Sequence, residues 1–149
     1  IMPPFEAWMN TRGIRTMEVR LKAHEQAAMQ VATALEQDPR VKLVRYPGLP
    51  SHPQYALMKK QQKGNCGLMS FDLNCRPEQV PDFVNALKLF HIGVSWGGFE
   101  SLVLAPYYRE TAEKAAQAHA SQTTIRIHCG LEGADNLLQD LRQALDRIG

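Results

Sequence analysis

Thr124-Ile125-Arg126-Ile127-His128-Cys129 is the stretch on which the architecture turns, because polar and apolar residues alternate along it. Successive side chains of a strand point to opposite faces, so Ile125 and Ile127 share one face while Arg126 and His128 share the other. The two isoleucines need a covering layer, and an arginine among them needs either a partner or water. That combination predicts a sheet with one covered face and one open face.

Working outward, Leu137, Leu138, Leu141, Leu145 and Ile148 recur at helical spacing, which predicts an amphipathic helix over about 134 to 148. Upstream, an alanine- and glutamate-rich segment predicts a weakly amphipathic helix over 107 to 119. Ser101 to Leu104 reads as a short strand. Pro77 opens a helix expected to run to about Phe90, with Val80, Phe83, Val84, Leu87 and Phe90 on one face. Gly67 to Leu73 and Val41 to Tyr46 read as strands, with a helix over 53 to 62 between them. The chain begins with a long helical pattern over about 15 to 37, whose stripe is Met17, Leu21, Ala28, Val31 and Leu35. Asp38-Pro39 ends it, since a residue before proline is pushed out of the α region. The expectation is an α+β fold: a small, mainly antiparallel four-stranded sheet with helices packed on one face, preceded by a long helix.

Composition narrows the function classes. At 149 residues with 44% hydrophobic and 21% charged residues, the chain suits one ordered domain rather than a disordered segment. A formal charge of +2, with the basic residues scattered, argues against nucleic acid or an anionic membrane as partner. No apolar run approaches the roughly 20 residues of a bilayer span. Cys66, Cys75 and Cys129 are odd in number and lack metal-ligand spacing, so reduced thiols in the cytoplasm are expected, with neither a disulfide framework nor a metal site. The opening Ile1-Met2-Pro3-Pro4-Phe5 suggests a fragment whose beginning lies upstream.

Three stretches could carry chemistry. Gly93-Val94-Ser95-Trp96-Gly97-Gly98-Phe99-Glu100-Ser101 joins a helix to a strand, with adjacent glycines that let backbone approach a ligand and Trp96 as a flat wall. A tight turn around a core tryptophan is the alternative. Arg126 presents a planar fork that matches a carboxylate, unless it is simply solvated on an open sheet face. His128 shares that face and reads as a surface or interface histidine. Tyr46 to Pro53 is dense in proline, so Ser51 and His52 read as part of a rigid connector rather than a nucleophile and base.

In order, Arg12-Gly13-Ile14-Arg15-Thr16, Tyr46-Pro47-Gly48-Leu49-Pro50-Ser51-His52-Pro53, Ser95-Trp96-Gly97-Gly98-Phe99-Glu100-Ser101 and Ile125-Arg126-Ile127-His128-Cys129-Gly130-Leu131-Glu132 resemble the carboxyl-terminal part of the Cys/Met-metabolism family of pyridoxal-phosphate (PLP) enzymes. The motifs are nearest those of cystathionine β-lyases. The resemblance implies the small C-terminal domain of a fold-type-I subunit, with residues 1–37 as inter-domain segment and long helix and residues 38–149 as the substrate-binding domain. The N-terminal PLP-binding domain would be absent from this chain. At the matching positions Arg126 would grip the substrate α-carboxylate, Ser95 would stand beside it, and Trp96 would occupy a place that cystathionine β-lyases fill with tryptophan. Val94 departs from the glutamate common in γ-specific enzymes, which favours β-elimination. An aromatic residue would be the nearer β-lyase match, so a γ-lyase or γ-synthase stays open.

The implied activity is α,β-elimination on L-cystathionine or a related cysteine thioether, releasing pyruvate, ammonia and a thiol. The implied cofactor is PLP, the implied partners are the N-terminal PLP domain and further copies of the subunit. No lysine here stands in the family's Schiff-base context, so no catalytic and no cofactor-binding residue is assigned to this chain. Residues 1–149 alone are expected neither to retain PLP nor to turn over substrate. A free-standing, non-catalytic module that binds amino acids or assembles subunits is the reading from another class.

Overall fold

The alternation around Arg126 is realised at the middle of a five-stranded sheet in the computed structural model, which describes residues 1–148. Two helices come first, α1 (Pro4–Arg15) and α2 (Met17–Glu36), followed by β1 (Val41–Arg45), α3 (Tyr55–Gln61) and β2 (Leu68–Leu73). A single 3-10 turn at Pro77–Gln79 leads into α4 (Val80–Ala86). Then come β3 (His91–Ile92), β4 (Leu102–Leu104), α5 (Ala112–Gln117), β5 (Thr124–His128) and α6 (Ala134–Leu145). Sheet order is β1-β2-β5-β4-β3, antiparallel except for the parallel pair β3 and β4.

The expected four strands are therefore corrected to five. The additional strand, His91–Ile92, is two residues long and exposed on both, so it carries no periodicity to read. It exists because His91 N–H donates to the Ser101 carbonyl and Gly93 N–H to the Val103 carbonyl. The helix expected to reach Phe90 stops at Ala86, where Leu87 turns extended at φ −63° and ψ 138°. The helix expected over 107 to 119 shrinks to six residues, capped by the Thr111 hydroxyl accepting from Lys114 N–H.

Helices α2, α4 and α6 cover one face of the sheet. Phe71, Leu73, Val103, Ile125 and Ile127 of the strands meet Ala28, Val31, Leu35, Phe83, Leu137 and Leu141 of the helices, all essentially buried. Alanines at 27, 28 and 32 let α2 lie close against the sheet. Its first half behaves differently. Met17 and Leu21, expected to continue the buried stripe, are exposed, as are Phe5, Trp8, Met9 and Ile14 of α1. The core-facing stripe of α2 begins only at His24 and Ala27.

The other face carries polar side chains in register. Arg45 pairs with Ser70, Ser70 with Arg126, and Arg126 with Leu104 across four strands. One row further along, Asp72 accepts two bonds from Arg45, at 2.7 and 2.8 Å, and one at 2.6 Å from the Thr124 hydroxyl. Burial alone would raise the Asp72 carboxyl pKa, but the guanidinium and the hydroxyl outweigh it and hold the group below its ordinary range. A depressed folded-state pKa stabilises the fold above the unfolded value, and that contribution disappears as pH falls below about 4. Asp72→Asn should cost about 1–3 kcal/mol near neutrality and flatten the fall of Tm between pH 4 and pH 2. An acid limb as steep as the parent's in thermal melts would assign that dependence to other carboxylates.

Candidate functional site

Arg126 sits at the centre of β5 and reaches over Leu104 toward the sheet edge. Its Nη2 donates to the Val94 carbonyl at 2.6 Å and to the Gly93 carbonyl at 3.4 Å. Among the described residues no acceptor meets its other guanidinium nitrogens. Half the fork is therefore anchored to backbone while the rest stays able to donate, which orients it for a planar anion such as a carboxylate. The arginine is neither wholly solvated nor locked in an ion pair.

The loop it holds carries the other expected residues. Val94 is 73% and Trp96 57% exposed, and Ser95 is exposed between them. Trp96 is therefore a surface wall and not the core residue of a tight turn. Gly97 takes φ +86°, a left-handed conformation open to glycine, directly after the tryptophan. One loop thus carries Val94, Ser95 and Trp96, and the Val94 carbonyl is where it meets Arg126.

What fixes that corner was not legible in the motifs taken singly. Glu132 accepts from the Ser101 backbone N–H at 2.7 Å and from its hydroxyl at 2.8 Å, and Ser101 Oγ accepts from Gly130 N–H at 2.8 Å. Leu131 N–H donates to the Phe99 carbonyl at 2.8 Å. A Cβ on Gly130 would collide with that same Phe99 carbonyl, so glycine is required for the two segments to meet. Serine and glutamate closing the two flanking motifs is the signal that could have linked them. His128 corrects an expectation: it is buried, with Nε2 3.2 Å from the Gly98 carbonyl oxygen. The 93–101 loop and His24 of α2 cover it.

Beside Arg126 the open face forms a cavity of about 550 Å³, within the range of small-molecule sites, lined among others by Arg45, Ser70, Tyr107 and His119. No lysine lines it, and all seven lysines of the chain are exposed. The side chains lining it therefore supply no imine-forming amine for PLP. Cys129 is no nucleophile: burial, with Glu132 adding, pushes its thiol up to about 12. Among the described residues no cluster of three or more His, Cys, Asp or Glu could hold a metal ion, and no helix is long and apolar enough to cross a membrane. Ser51 donates to Glu36, and His52 accepts from Gln54 N–H, so neither meets the other as a catalytic pair.

The model of the Cys/Met metabolism PLP-dependent enzyme family matches residues 1–146. The chain belongs to that family. Among relatives in the Cys/Met metabolism family, a cystathionine beta-lyase of Bordetella avium is 42% identical over 142 residues, covering 95% of this chain and 36% of that protein. A cystathionine gamma-lyase of Dictyostelium discoideum is 39% identical over 148 residues, covering 97% and 38%. The crystal structure of a cystathionine gamma synthase from Xanthomonas oryzae pv. oryzae in complex with cystathionine superposes with a TM-score of 0.87 at 40% identity, covering 97% of this chain and 38% of that one. The chain thus spans a little over a third of the length of these relatives, and its fold is that of fold-type-I PLP enzymes.

Proposed function

We propose that this chain is the small, substrate-gripping part of a PLP-dependent carbon–sulfur lyase acting by α,β-elimination on L-cystathionine or a related cysteine thioether. The observation that carries the reading is the half-anchored guanidinium of Arg126, free to donate beside an exposed Ser95 and Trp96. Arg126 binds the α-carboxylate of the amino-acid substrate and so fixes the orientation of Cα. Ser95 offers a hydroxyl next to it, and Trp96 shields one side from water. None of these residues transfers a proton.

Val94 supports β- over γ-chemistry, since its exposed isopropyl group cannot bond a distal ammonium. Residues 1–37 act as the inter-domain segment and residues 38–149 as the substrate-binding domain, with PLP and its lysine in an N-terminal domain of the same polypeptide. The bare apolar face of α1, with Phe5, Trp8, Met9 and Ile14 exposed, supports a further protein surface against it in a homo-oligomer. Three free cysteines, Cys66 exposed, suit a reducing, cytoplasmic setting. Incubating the full-length protein with L-cystathionine tests the reading: pyruvate and homocysteine are expected, whereas 2-oxobutyrate and cysteine would assign γ-elimination instead.

A further inference from the structure

Behind the loop lies a pair of side chains that the carboxylate grip does not use. His24 of α2 and His128 of β5 are each 2% exposed, with ring centroids 5.0 Å apart and planes tilted by 48°. His24 Nδ1 lies 2.8 Å from the Cys129 carbonyl oxygen, and His128 Nε2 lies 3.2 Å from that of Gly98. A carbonyl only accepts, so each of these nitrogens bears the proton and each ring's tautomer follows from its backbone partner. In neutral rings His24 Nε2 and His128 Nδ1 are then bare acceptors, and both are buried without a hydrogen-bond partner. Native interiors keep few such groups, so the pair calls for a physical reason.

The two carbonyls belong to different segments. Cys129 follows β5, and Gly98 lies in the loop that carries Ser95 and Trp96. Through two rings in contact, α2 is tied to the end of β5 and β5 to the loop. Space around His128 is closed on the other side too, since a Cβ on Gly67 would stand 2.8 Å from its ring. The ring has one place to sit.

We propose that His24 and His128 are a positioning pair that sets the Val94–Trp96 loop relative to Arg126; the proposal rests on Arg126 being the carboxylate grip. The groups facing His128 are His24 from α2, Glu100 from the loop and Glu132 from the segment after β5. Burial lowers the proton affinity of His128 and His24 adds to this, while the Gly98 carbonyl and the two glutamates oppose it without prevailing. Burial thus keeps His128 Nδ1 a bare acceptor near neutral pH, while Nε2–H donates to the Gly98 carbonyl in either protonation state.

The test uses His128→Ala, which deletes the donor, and His128→Gln, which keeps an N–H for Gly98 but does not titrate. In this chain a Trp8→Phe background leaves Trp96 as the sole tryptophan, whose emission is excited selectively over that of the tyrosines. Amide exchange over residues 97–101 should quicken about tenfold or more in His128→Ala at pH 7.5, with most protection restored in His128→Gln. Trp96 emission should shift in His128→Ala relative to the parent and return toward the parent's in His128→Gln. In the full-length protein, His128→Ala should raise KM about tenfold with a smaller change in kcat, and His128→Gln should bring KM back. Unchanged exchange in His128→Ala, or exchange in His128→Gln as fast as in His128→Ala, overturns the positioning role. Faster exchange with an unmoved KM overturns its link to substrate, and if Arg126→Ala also leaves KM unmoved it is the carboxylate reading that has failed. Should His128→Ala not fold, His128→Leu, which fills the space without a donor, takes its place in the same comparison with His128→Gln.

Discussion

Arg126→Ala in the full-length protein is expected to lower kcat/KM for a thioether substrate by roughly 10² to 10³ while PLP stays bound. The reasoning is geometric. The guanidinium already spends one nitrogen on the Val94 and Gly93 carbonyls, which fixes its plane, and keeps its remaining N–H groups for an incoming anion. Each hydrogen bond to a charged group contributes about 1.5–3 kcal/mol, so losing two such bonds removes about 3–6 kcal/mol, the lower half of which corresponds to roughly 10² to 10³. Arg126→Lys should recover only a small part, because an ammonium is a point charge without the fork and cannot bond the two carbonyls and a carboxylate in one plane. A rise in KM alone would mean that the grip binds ground state and transition state equally. A fall in kcat as well would mean that it also orients Cα. Kinetics unchanged within twofold, with the cofactor absorbance intact, would remove Arg126 from the substrate site.

Much of that corner is legible in the sequence, and the reason is periodicity. Ile125 and Ile127 alternate with Arg126 and His128, and a strand has one way to sort those four side chains between faces. The helices α4 and α6 likewise declared their buried sides through Val80 and Phe83, and through Leu137, Leu141 and Leu145. What stayed hidden has no period. His91–Ile92 becomes a strand only because Ser101 and Val103 return beside it. Met17 and Leu21 fit the stripe of α2 yet stay exposed, because the sheet beneath that helix starts a turn later. His128 looked like an open-face residue by parity, and its burial depends on α2 and the 93–101 loop, both distant in the chain. Glu132 and Ser101 could be seen as members of separate motifs, but their bond joins segments 31 residues apart.

Asp140→Ala should be among the costliest polar substitutions in the chain, at about 3–5 kcal/mol, although nothing at this position touches the proposed substrate corner. Asp140 is 5% exposed on the core side of α6, a place where an acidic residue needs partners. Its partners are the backbone N–H groups of Lys88 at 2.9 Å, Leu89 at 2.7 Å and Phe90 at 3.3 Å, with Gln143 donating at 3.0 Å. Those three donors arise because α4 stops at Ala86 and the chain turns out of helix before β3 begins. One carboxylate satisfies all of them. Alanine would orphan three donors at once, each worth about 1–3 kcal/mol if unpaired, with partial relief where water can reach Lys88. For a chain of this size the loss corresponds to a fall in Tm of about 8–15 °C. Asp140→Asn should fall between, since its amide keeps one accepting oxygen and turns an N–H toward the donors. The effect also reaches the site through the backbone: Phe90 leads into His91–Ile92 and then to Gly93 and Val94, whose carbonyls anchor Arg126. Faster amide exchange at residues 91 to 94 in Asp140→Asn than in the parent is therefore expected alongside the lower Tm. A Tm within about 3 °C of the parent in Asp140→Ala would mean that the three N–H groups find other acceptors, and that the turn after α4 holds β3 in place without this carboxylate.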